Sequence, residues 1–337
     1  MNRSSAWDNS ALEPVVITYN RADHLGRTLR SFLDAGLQSM RLHVLDNASD
    51  DRTPEVVDEF RAQWPALTYH RNKYNIGGNA NILRALELSD SEYSWVIGDD
   101  DEWHLEHIAE LADAVGARRA DVVRLGWLAS AHSRGTVAAA EDLALDEPFF
   151  FASISMISAT VARRSLLTPH LAHAYQNTGD AYPQLVPFMR ALADARYTVY
   201  TVTNDIVVHI PSTAPAYYFG DLEWYAAWFR TGRFLPLRYR SKFNGELHRY
   251  MTRTRKERLG AIGWYAKVAL NYKAHGIDQW PYLACSLAYG TGLRITIATV
   301  MLLYALVPGS VARRLRKAYL TLRGRPDSPL RYDRTRV

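Results

Sequence analysis

The chain has 337 residues, of which 48% are hydrophobic and 22% charged, with one cysteine and a formal net charge of +5. These values are close to those of an average globular protein, which excludes a collagen-like repeat, wholesale disorder and a disulfide scaffold. The single Cys285 also excludes an internal disulfide and a zinc site of the CxxC type.

Short apolar segments alternate with segments of helical periodicity over the first hundred residues. Apolar side chains recur at spacings of three and four residues after each of the first three such segments, which predicts helices. The alternation predicts βαβ units and a parallel sheet with helices on both faces. The predicted strands are Val15–Tyr19, Leu42–Leu45, Leu67–His70 and Ser94–Ile97, and the predicted helices lie around 25–33, 56–64 and 80–88.

A polar cluster follows each predicted strand, and ligands of open α/β sheets bind at the carboxyl ends of the strands. We therefore expect the four clusters to converge on one rim. The last cluster holds three adjacent carboxylates, whose repulsion is costly unless a cation or hydrogen-bond donors offset it. A hard divalent cation that also holds a diphosphate would do so, and the alternative is a solvated acidic turn. The clusters are Tyr19–Arg21, Asp46–Asn47, Asn75–Asn81 and Asp99–Asp101.

The order and spacing of these clusters resemble the successive signatures of family 2 glycosyltransferases with the GT-A fold. The resemblance is strong over residues 14–105 and thinner to about residue 215. It implies a Rossmann-like mixed α/β sheet and an inverting transfer of a sugar from a nucleotide diphosphate to an acceptor hydroxyl, with Mn²⁺ or Mg²⁺. Within the family, the motifs look most like those of bacterial O-antigen transferases of the abequosyltransferase type. The segments that carry the resemblance are VITYNR (16–21), DNASDD (46–51), NIGGNAN (75–81) and GDDD (98–101).

The resemblance also implies roles for individual residues. Asp101 would bind the metal, and Asp99 with Asp100 would reach the ribose or the donor sugar. Glycine in the third cluster lets the backbone approach the nucleotide closely. Residues 75–78 and 46–50 have a structural alternative as turns, the second with Ser49 capping a helix. The other residues expected at the nucleotide are Thr18, Tyr19, Asn20, Arg21, Asp46 at the base edge, Asn75, Gly78 and Asn79.

A general base and a second metal ligand are expected further along the chain. Residues 153–164 resemble the strand beneath the acceptor site of the family, and a Glu-Asp pair usually follows it. Here Gly179 precedes Asp180, and we expect Asp180 to be the base, with a helix cap as the alternative. His209 is the expected second ligand, although a histidine at a strand end can be purely structural. Weaker candidates for the base are Glu141, Asp142 and Glu147.

Several competing chemistries lack their motifs. The sequence has no phosphate-binding P-loop, no GxGxxG after the first strand and no GxSxG elbow. The QxxRW motif of processive synthases is also absent, which favours non-processive transfer. Two alternatives stay open: a nucleotidyltransferase of related fold, and an inactive membrane-associated protein that binds carbohydrate.

The basic charge is concentrated at the end of the chain. Residues 309–337 hold nine Lys or Arg and two Asp, which is +7, so the other 308 residues hold 31 basic and 33 acidic side chains, which is −2. This distribution argues against a nucleic-acid partner. An apolar stripe with cationic flanks over residues 311–322 is typical of a helix that lies on anionic lipid. The alternative is a helix docked on the protein with a solvated basic face.

The apolar segment 295–307 is shorter than the roughly 20 residues that a spanning helix needs. It indicates a shallow or re-entrant membrane contact, or a buried helix. The dense aromatic residues at 217–229 favour helical core packing over an acceptor platform. Because residues 1–12 lack the apolar core of a secretory signal, we expect the protein on the cytoplasmic side of the cell membrane, peripheral or monotopic.

These observations predict a donor, an acceptor and a domain organisation. The expected donor is a UDP-sugar, with dTDP-, CDP- and GDP-sugars as alternatives, and the expected acceptor is lipid-linked or a glycan. The predicted segments are a flexible leader (1–13), a GT-A catalytic domain (14–215), an aromatic and basic helical extension (216–280), membrane-associating helices (281–325) and a basic tail (326–337).

Overall fold

The computed structural model describes residues 7–88, 90–194, 196–208, 221–253, 261–322 and 324. The chain divides into two compact units, residues 1–211 and 212–337. The first unit is built on a mixed sheet with helices, whereas the described part of the second contains helices and no strand.

Ten strands are described in the first unit. They are β1 Val15–Thr18, β2 Leu42–Asp46, β3 Leu67–Arg71, β4 Tyr93–Gly98, β5 Glu102–Trp103, β6 Val122–Arg124, β7 Val137–Ala139, β8 Thr160–Arg163, β9 Thr198–Thr201 and β10 Val207–Val208. Eight of them form one sheet in the order β3-β2-β1-β4-β8-β6-β9-β7, and β10 pairs with β5 separately. Strands β3, β2, β1 and β4 are parallel, β8 is antiparallel to both of its neighbours, and β7 is antiparallel to β9.

The helices of the first unit connect these strands. Their apolar faces are buried, as the three- and four-residue spacing of Leu25, Leu29, Phe32 and Leu33 illustrates. They are α1 Ala22–Asp34, α2 Thr53–Arg61, α3 Gly78–Leu88, α4 Ile108–Gly116, α5 Ala140–Asp146, α6 Phe150–Ser155, α7 Arg164–Leu167, α8 Leu171–Tyr175 and α9 Leu185–Asp194.

The predicted alternation of strands and helices over the first hundred residues is confirmed. Strands β1 to β4 lie within one residue of the predicted segments. Helices α1 to α3 overlap their predicted segments, but α1 and α2 begin three residues earlier than predicted and α2 also ends three residues earlier. Strand β4 is buried along nearly its whole length, as expected for a central strand covered on both faces. The predicted α/β class with a mixed sheet is therefore confirmed.

Two expectations need correction. The segment 153–164 is a strand only from Thr160, because Phe150–Ser155 forms a helix whose residues are all buried, and a short 3₁₀ turn follows it. The flexible leader does not extend through residue 13, because Ala11 and Leu12 are fully buried and Leu12 forms a bridge with Tyr93 of β4. Residues 1–6 lie outside the described residues.

A buried ion pair holds the far half of the sheet to the segment after α5. Arg124, at the end of β6, forms a two-pronged pair with Glu147, and both side chains are almost fully buried. Ser133 and the backbone N–H of Ser130 also donate to Glu147, and Arg124 donates to Thr201 on β9. Glu147 is thus held inside the protein, and this contradicts its weak candidacy as a general base.

A histidine pair between β2 and β3 predicts a pH-dependent stability. His43 Nδ1 lies 3.2 Å from His70 Nε2, and Glu13 lies 3.2 Å from the other ring nitrogen of His43. Burial, His43 and the charge of Arg84 lower the pKa of His70 below its ordinary value of 6.5. In the pH interval below 6.5 the unfolded chain therefore binds a proton that the folded chain does not, and stability falls as the pH falls.

We expect the melting temperature of the wild type to drop more between pH 7 and pH 5 than that of His70→Gln. His132→Gln, which changes an exposed histidine, serves as the control and should behave like the wild type. Equal pH slopes for the wild type and His70→Gln, measured by circular dichroism, would contradict this role of the pair.

The second unit is a helical bundle with an aromatic core. The rings of Trp228 and Phe243 stack at 4.3 Å between centroids, and Tyr225, Phe229 and Tyr265 are buried nearby in the same unit. Core packing is thus observed for Tyr225, Trp228 and Phe229, while residues 217–219 lie outside the described part. Its helices are α10 Asp221–Thr231, α11 Leu237–Arg253, α12 Ala261–Ala274, α13 Trp280–Tyr289, α14 Arg294–Leu306 and α15 Gly309–Leu322.

Among the residues that the structure describes, no single helix is both long enough and apolar enough to cross a membrane. Helices α14 and α15 meet the length and composition criteria only as a pair, and the pair is bent by 105°.

Candidate functional site

The sheet register brings the four polar clusters to one edge. Thr18 at the end of β1 is paired with Asp46 on β2, and Asp46 is paired with Arg71 on β3. On the other side of β1, Ile17 is paired with Gly98 at the end of β4. Because these strands are parallel and end at the same level, their following loops share one rim, as the sequence predicted.

Asp99 is the buried centre of the first group of contacts. Thr18 Oγ1 donates to Asp99 Oδ2 at 2.7 Å, and Arg21 Nη1 donates to Asp99 Oδ1 at 3.2 Å. Arg21 also pairs with the half-exposed Asp100 at 2.5 Å. Burial raises the pKa of Asp99 to about 6, although the hydrogen bond from Thr18 and the charge of Arg21 act in the opposite direction. The predicted residues Thr18, Arg21, Asp99 and Asp100 therefore form one connected group.

Gly98 leaves a space that is surrounded by oxygen atoms. A Cβ atom added at Gly98 would lie 3.3 Å from Asp101 Oδ2 and 3.4 Å from both Asp100 Oδ1 and Ser158 Oγ. Ser158 Oγ also accepts the Gly98 N–H at 2.8 Å. Two carboxylates on one edge suit Mg²⁺ or Mn²⁺, which in such sites combine one or two carboxylates with water and substrate phosphates. The donor set beside Gly98 thus fits a hard divalent cation.

The other members of the expected metal site are not placed. His209 lies outside the described residues. Within the described part of the chain, no three His, Cys, Asp or Glu side chains gather as a metal-binding group.

Asp46 is fully buried, and other groups of the protein donate hydrogen bonds to both of its carboxylate oxygens. Oδ1 accepts the backbone N–H and the hydroxyl of Ser49 at 2.9 and 2.5 Å, and Oδ2 accepts Tyr69 OH and Arg71 Nε at 2.6 and 3.2 Å. A carboxylate offers about four acceptor positions. The base contact expected for Asp46 stays a prediction, and it requires the exchange of one of these bonds. The turn that was the structural alternative is present, but Ser49 does not cap the next helix, because α2 begins at Thr53 and its N-cap residue is Arg52.

An asparagine network fixes the glycine-containing loop after β3. Asn47 donates to Asn75 Oδ1 at 2.7 Å and accepts from Asn72 and from the backbone N–H of Ile76. Asn72 also donates to Asn81 Oδ1 at 2.8 Å. The sequence predicts no role for Asn72, because an isolated asparagine in a loop carries no pattern. The loop is preorganised by side-chain amides rather than by packing.

Hydrogen bonds from Asn79 connect this rim to the loop that carries Asp180. Its Nδ2 donates to the backbone carbonyls of Thr178 at 2.8 Å and Asp180 at 3.0 Å. Asp180 is buried, and its backbone N–H donates to Asn177 O. The structure therefore brings the predicted base to the rim, about a hundred residues along the chain from Asn79. Asn79 itself contacts the protein, and the nucleotide contact expected for it stays a prediction.

Replacing Asn79 with Ala is expected to destabilise the protein by about 1–3 kcal/mol, because two hydrogen bonds to backbone carbonyls are lost. Amide hydrogen exchange should accelerate at residues 177–182 more than elsewhere. A matched control is Asn204→Ala, which removes an exposed loop asparagine. Unchanged exchange at residues 177–182 would show that Asn79 does not hold this loop.

Unusual backbone conformations also concentrate on this rim. Asn20, Ala48 and Tyr182 have positive φ angles of 52°, 67° and 55°. Such angles are costly for residues other than glycine and persist only where the surroundings enforce them. Asn20 shows how, since its N–H donates to Ser49 Oγ and its Oδ1 accepts the N–H of Asp50. Gly77, at φ 82°, uses the conformational freedom expected of this loop.

The remaining predicted residues lie at the same edge. Tyr19 is exposed directly after β1, and Gly78 is the first residue of α3. A Cβ atom added at Gly78 would have no neighbour within 4 Å, so the backbone at this position is accessible to a ligand.

Comparison with known proteins finds a family match within the first unit. Residues 15–156 match the family described as glycosyl transferase family 2. Abequosyltransferase RfbV of Salmonella typhimurium is 32% identical over 97 residues, which cover 28% of this chain and 29% of that protein. The uncharacterized protein Rv1520 of Mycobacterium tuberculosis is 30% identical over 91 residues, or 26% of each chain. The chain thus matches less than a third of the length of these relatives.

Solved structures show the same fold. S. aureus TarS 1–349 in complex with UDP is similar with a TM-score of 0.55 and 14% identity, over 96% of this chain and 94% of that chain. The complex of the same protein with UDP-GlcNAc gives a TM-score of 0.52 and 12% identity, over 94% and 93% of the two chains. At this identity the likeness concerns the fold, and it confirms the predicted GT-A architecture.

Proposed function

Since residues 15–156 match glycosyl transferase family 2 and the fold is GT-A, we propose that the protein is an inverting, non-processive glycosyltransferase. It moves a sugar from a nucleotide-diphosphate donor to an acceptor hydroxyl. The observation that carries the proposal is the convergence on one rim of the Thr18–Arg21–Asp99–Asp100 group, the oxygen-lined space at Gly98 and the Asp180 loop.

The donor binds along the carboxyl ends of β1, β2 and β4 in this proposal. Tyr19 offers an exposed aromatic face, and Gly77 and Gly78 offer open backbone for close approach. Ion pairs of Arg21 Nη1 with Asp99 and Asp100 hold this side chain at the rim, and its other guanidinium N–H groups would bond to the nucleotide. A UDP-sugar is the first donor to test, followed by dTDP-, CDP- and GDP-sugars.

A divalent cation, Mn²⁺ or Mg²⁺, is part of the proposal. Asp101 would hold it, with Asp100 beside it at the Gly98 space. When bound, such a cation offsets the charge that develops on the diphosphate leaving group. Arg21 keeps Asp100 and Asp99 paired and so limits the repulsion within the triplet.

Asp180 is the general base in the proposed reaction. Its carboxylate accepts the proton of the acceptor hydroxyl while the acceptor oxygen bonds to the anomeric carbon. The bond from that carbon to the diphosphate oxygen breaks in the same displacement, and the electron pair leaves with the nucleoside diphosphate. A single displacement from the opposite face inverts the anomeric configuration. The contact of Asn79 with the Asp180 carbonyl supports a fixed position for this base.

The acceptor in this proposal is lipid-linked or a glycan, at the cytoplasmic side of the cell membrane. The excess of basic residues over residues 309–337 supports this location, since a lipid-linked acceptor lies in an anionic surface.

The experiment is a donor screen with the full chain. UDP-, dTDP-, CDP- and GDP-sugars are each incubated with Mn²⁺ or with EDTA, and nucleotide release and donor binding are measured. We expect one donor class to give turnover that needs the metal, and Asp101→Asn to lose the metal response. Asp113→Asn, a carboxylate on α4, is the control. Absence of release and of binding for every donor would overturn the proposal.

A further inference from the structure

Helix α14 exposes an apolar face. Ile295, Leu302 and Leu306 have 85%, 60% and 70% of their surface exposed. At about 100° of rotation per residue they lie within a stripe roughly 40° wide. The opposite face carries Ile297, Val300 and Tyr304, which are buried in the second unit. A helix that is already packed on one face therefore presents a second apolar face to solvent, which is unusual for a soluble surface.

Helix α15 repeats this arrangement. Leu315 and Leu322 have 55% and 86% of their surface exposed, and Val311 is exposed on the same side. The helix docks on α12 through other residues: Arg316 Nε donates to Asn271 Oδ1 at 3.0 Å, and Lys267 lies over the Tyr319 ring. Its apolar stripe is thus not the face that holds it to the protein. The alternative interpretation was a helix that docks on the protein and exposes a basic face. It does not fit α15, because the exposed face of α15 also carries apolar side chains.

The charge around these two faces is of one sign. Residues 279–326 contain seven Lys or Arg and no Asp or Glu. Among them Arg313, Arg314 and Lys317 are exposed on α15. An apolar stripe flanked by cations matches the boundary between headgroups and acyl chains of an anionic bilayer.

We propose that α14 and α15 together form a monotopic membrane-binding surface that inserts its exposed leucines shallowly into anionic lipid. The 105° bend separates the two helices into short segments that lie along a surface, and neither is long enough to span it. A second copy of the chain is disfavoured as the occupant, because it would bring the same uncompensated cations together. The proposal concerns the second unit alone and does not depend on sugar transfer.

The test is cosedimentation of the full chain with phosphatidylcholine vesicles that contain 0% or about 30% phosphatidylglycerol. We expect binding that needs the anionic lipid. Each cation near such a surface contributes about fivefold in affinity, so Arg313→Gln with Arg314→Gln should weaken binding roughly thirtyfold. Leu302→Glu with Leu306→Glu should weaken it as well, including at high salt, where the charge contribution is screened.

Leu237→Glu is the matched control, because Leu237 is an equally exposed leucine on another helix of the same unit. It should bind vesicles like the wild type. Circular dichroism of each variant confirms that the helices are retained, and binding needs no donor, so the result is separate from the enzymatic one. Binding that is absent, or unaffected by the α14 and α15 variants, overturns the proposal. Loss of a dimer in Leu302→Glu with Leu306→Glu, without vesicle binding by the wild type, would identify a second copy as the occupant.

Discussion

Replacing Asp180 with Asn is expected to lower kcat by about 10²–10⁴-fold, which is the usual contribution of a positioned general base. Asparagine keeps the shape of the side chain but cannot accept the acceptor proton. Because Asp180 acts on the acceptor in the proposed reaction, the affinity for the donor should change little. The measurement is steady-state transfer kinetics with the donor identified in the screen, together with donor titration of the variant.

Two controls separate catalysis from folding in that experiment. Asp142→Asn removes an exposed carboxylate that was a weaker candidate for the base, and it should retain activity. The melting temperature of Asp180→Asn shows whether the buried loop survives the change. Full activity in Asp180→Asn would exclude it as the base. Loss of activity in Asp142→Asn together with full activity in Asp180→Asn would transfer the role to Asp142.

Replacing Glu147 with Ala is expected to cost about 3–5 kcal/mol of folding free energy, because it leaves Arg124 buried without its partner. Arg124→Met combined with Glu147→Leu removes both charges and should recover much of that loss. Recovery stays incomplete, since Ser133 and Thr201 lose their partners. Chemical denaturation of the three variants measures the differences. A cost below about 1 kcal/mol in Glu147→Ala would show that water or another group replaces the carboxylate.

The Arg124–Glu147 pair also predicts that the stability of the protein falls at low pH. Burial opposes the charge on Glu147, but Arg124 outweighs it, and the pKa of Glu147 lies below its ordinary value of 4.5. A carboxyl group with a depressed pKa in the folded state contributes stability above its ordinary pKa, and this contribution is lost as the pH falls through the folded value. Below pH 4.5 the free energy of unfolding of the wild type should therefore fall. Glu147→Gln should lack the part of this fall that comes from protonation of Glu147.

Local sequence pattern was sufficient to predict the strands in the parallel half of the sheet. Strands such as β1 and β4 are short, buried on both faces and rich in β-branched or aromatic side chains, so their pattern reflects their burial directly. The expectation that the strand ends share a rim followed from the parallel βαβ units, whose strands have their carboxyl ends at one edge of the sheet. The register of Thr18, Asp46 and Gly98 bears it out.

Local sequence pattern did not distinguish a helix from a strand where every residue of a segment is buried. Phe150–Ser155 is buried on all sides in a helix, and a short run of apolar residues has the same appearance in a buried strand. Local pattern also does not indicate the burial of residues 11 and 12, for a related reason. Ala11 and Leu12 are only two apolar residues in a polar segment, and a bridge to Tyr93 buries them.

The sequence by itself determined the sheet class and the position of each polar cluster, since these depend on neighbours within one strand and its following loop. Only the tertiary structure decided which side chains satisfy one another across the rim. Asp46 is occupied by Ser49, Tyr69 and Arg71, and Asn79 holds the Asp180 loop across a separation of 101 residues. The tertiary structure also decided which apolar side chains stay exposed, as the leucines of α14 and α15 do. Hydrogen-bond partners and solvent exposure depend on contacts between distant segments, which no local pattern encodes.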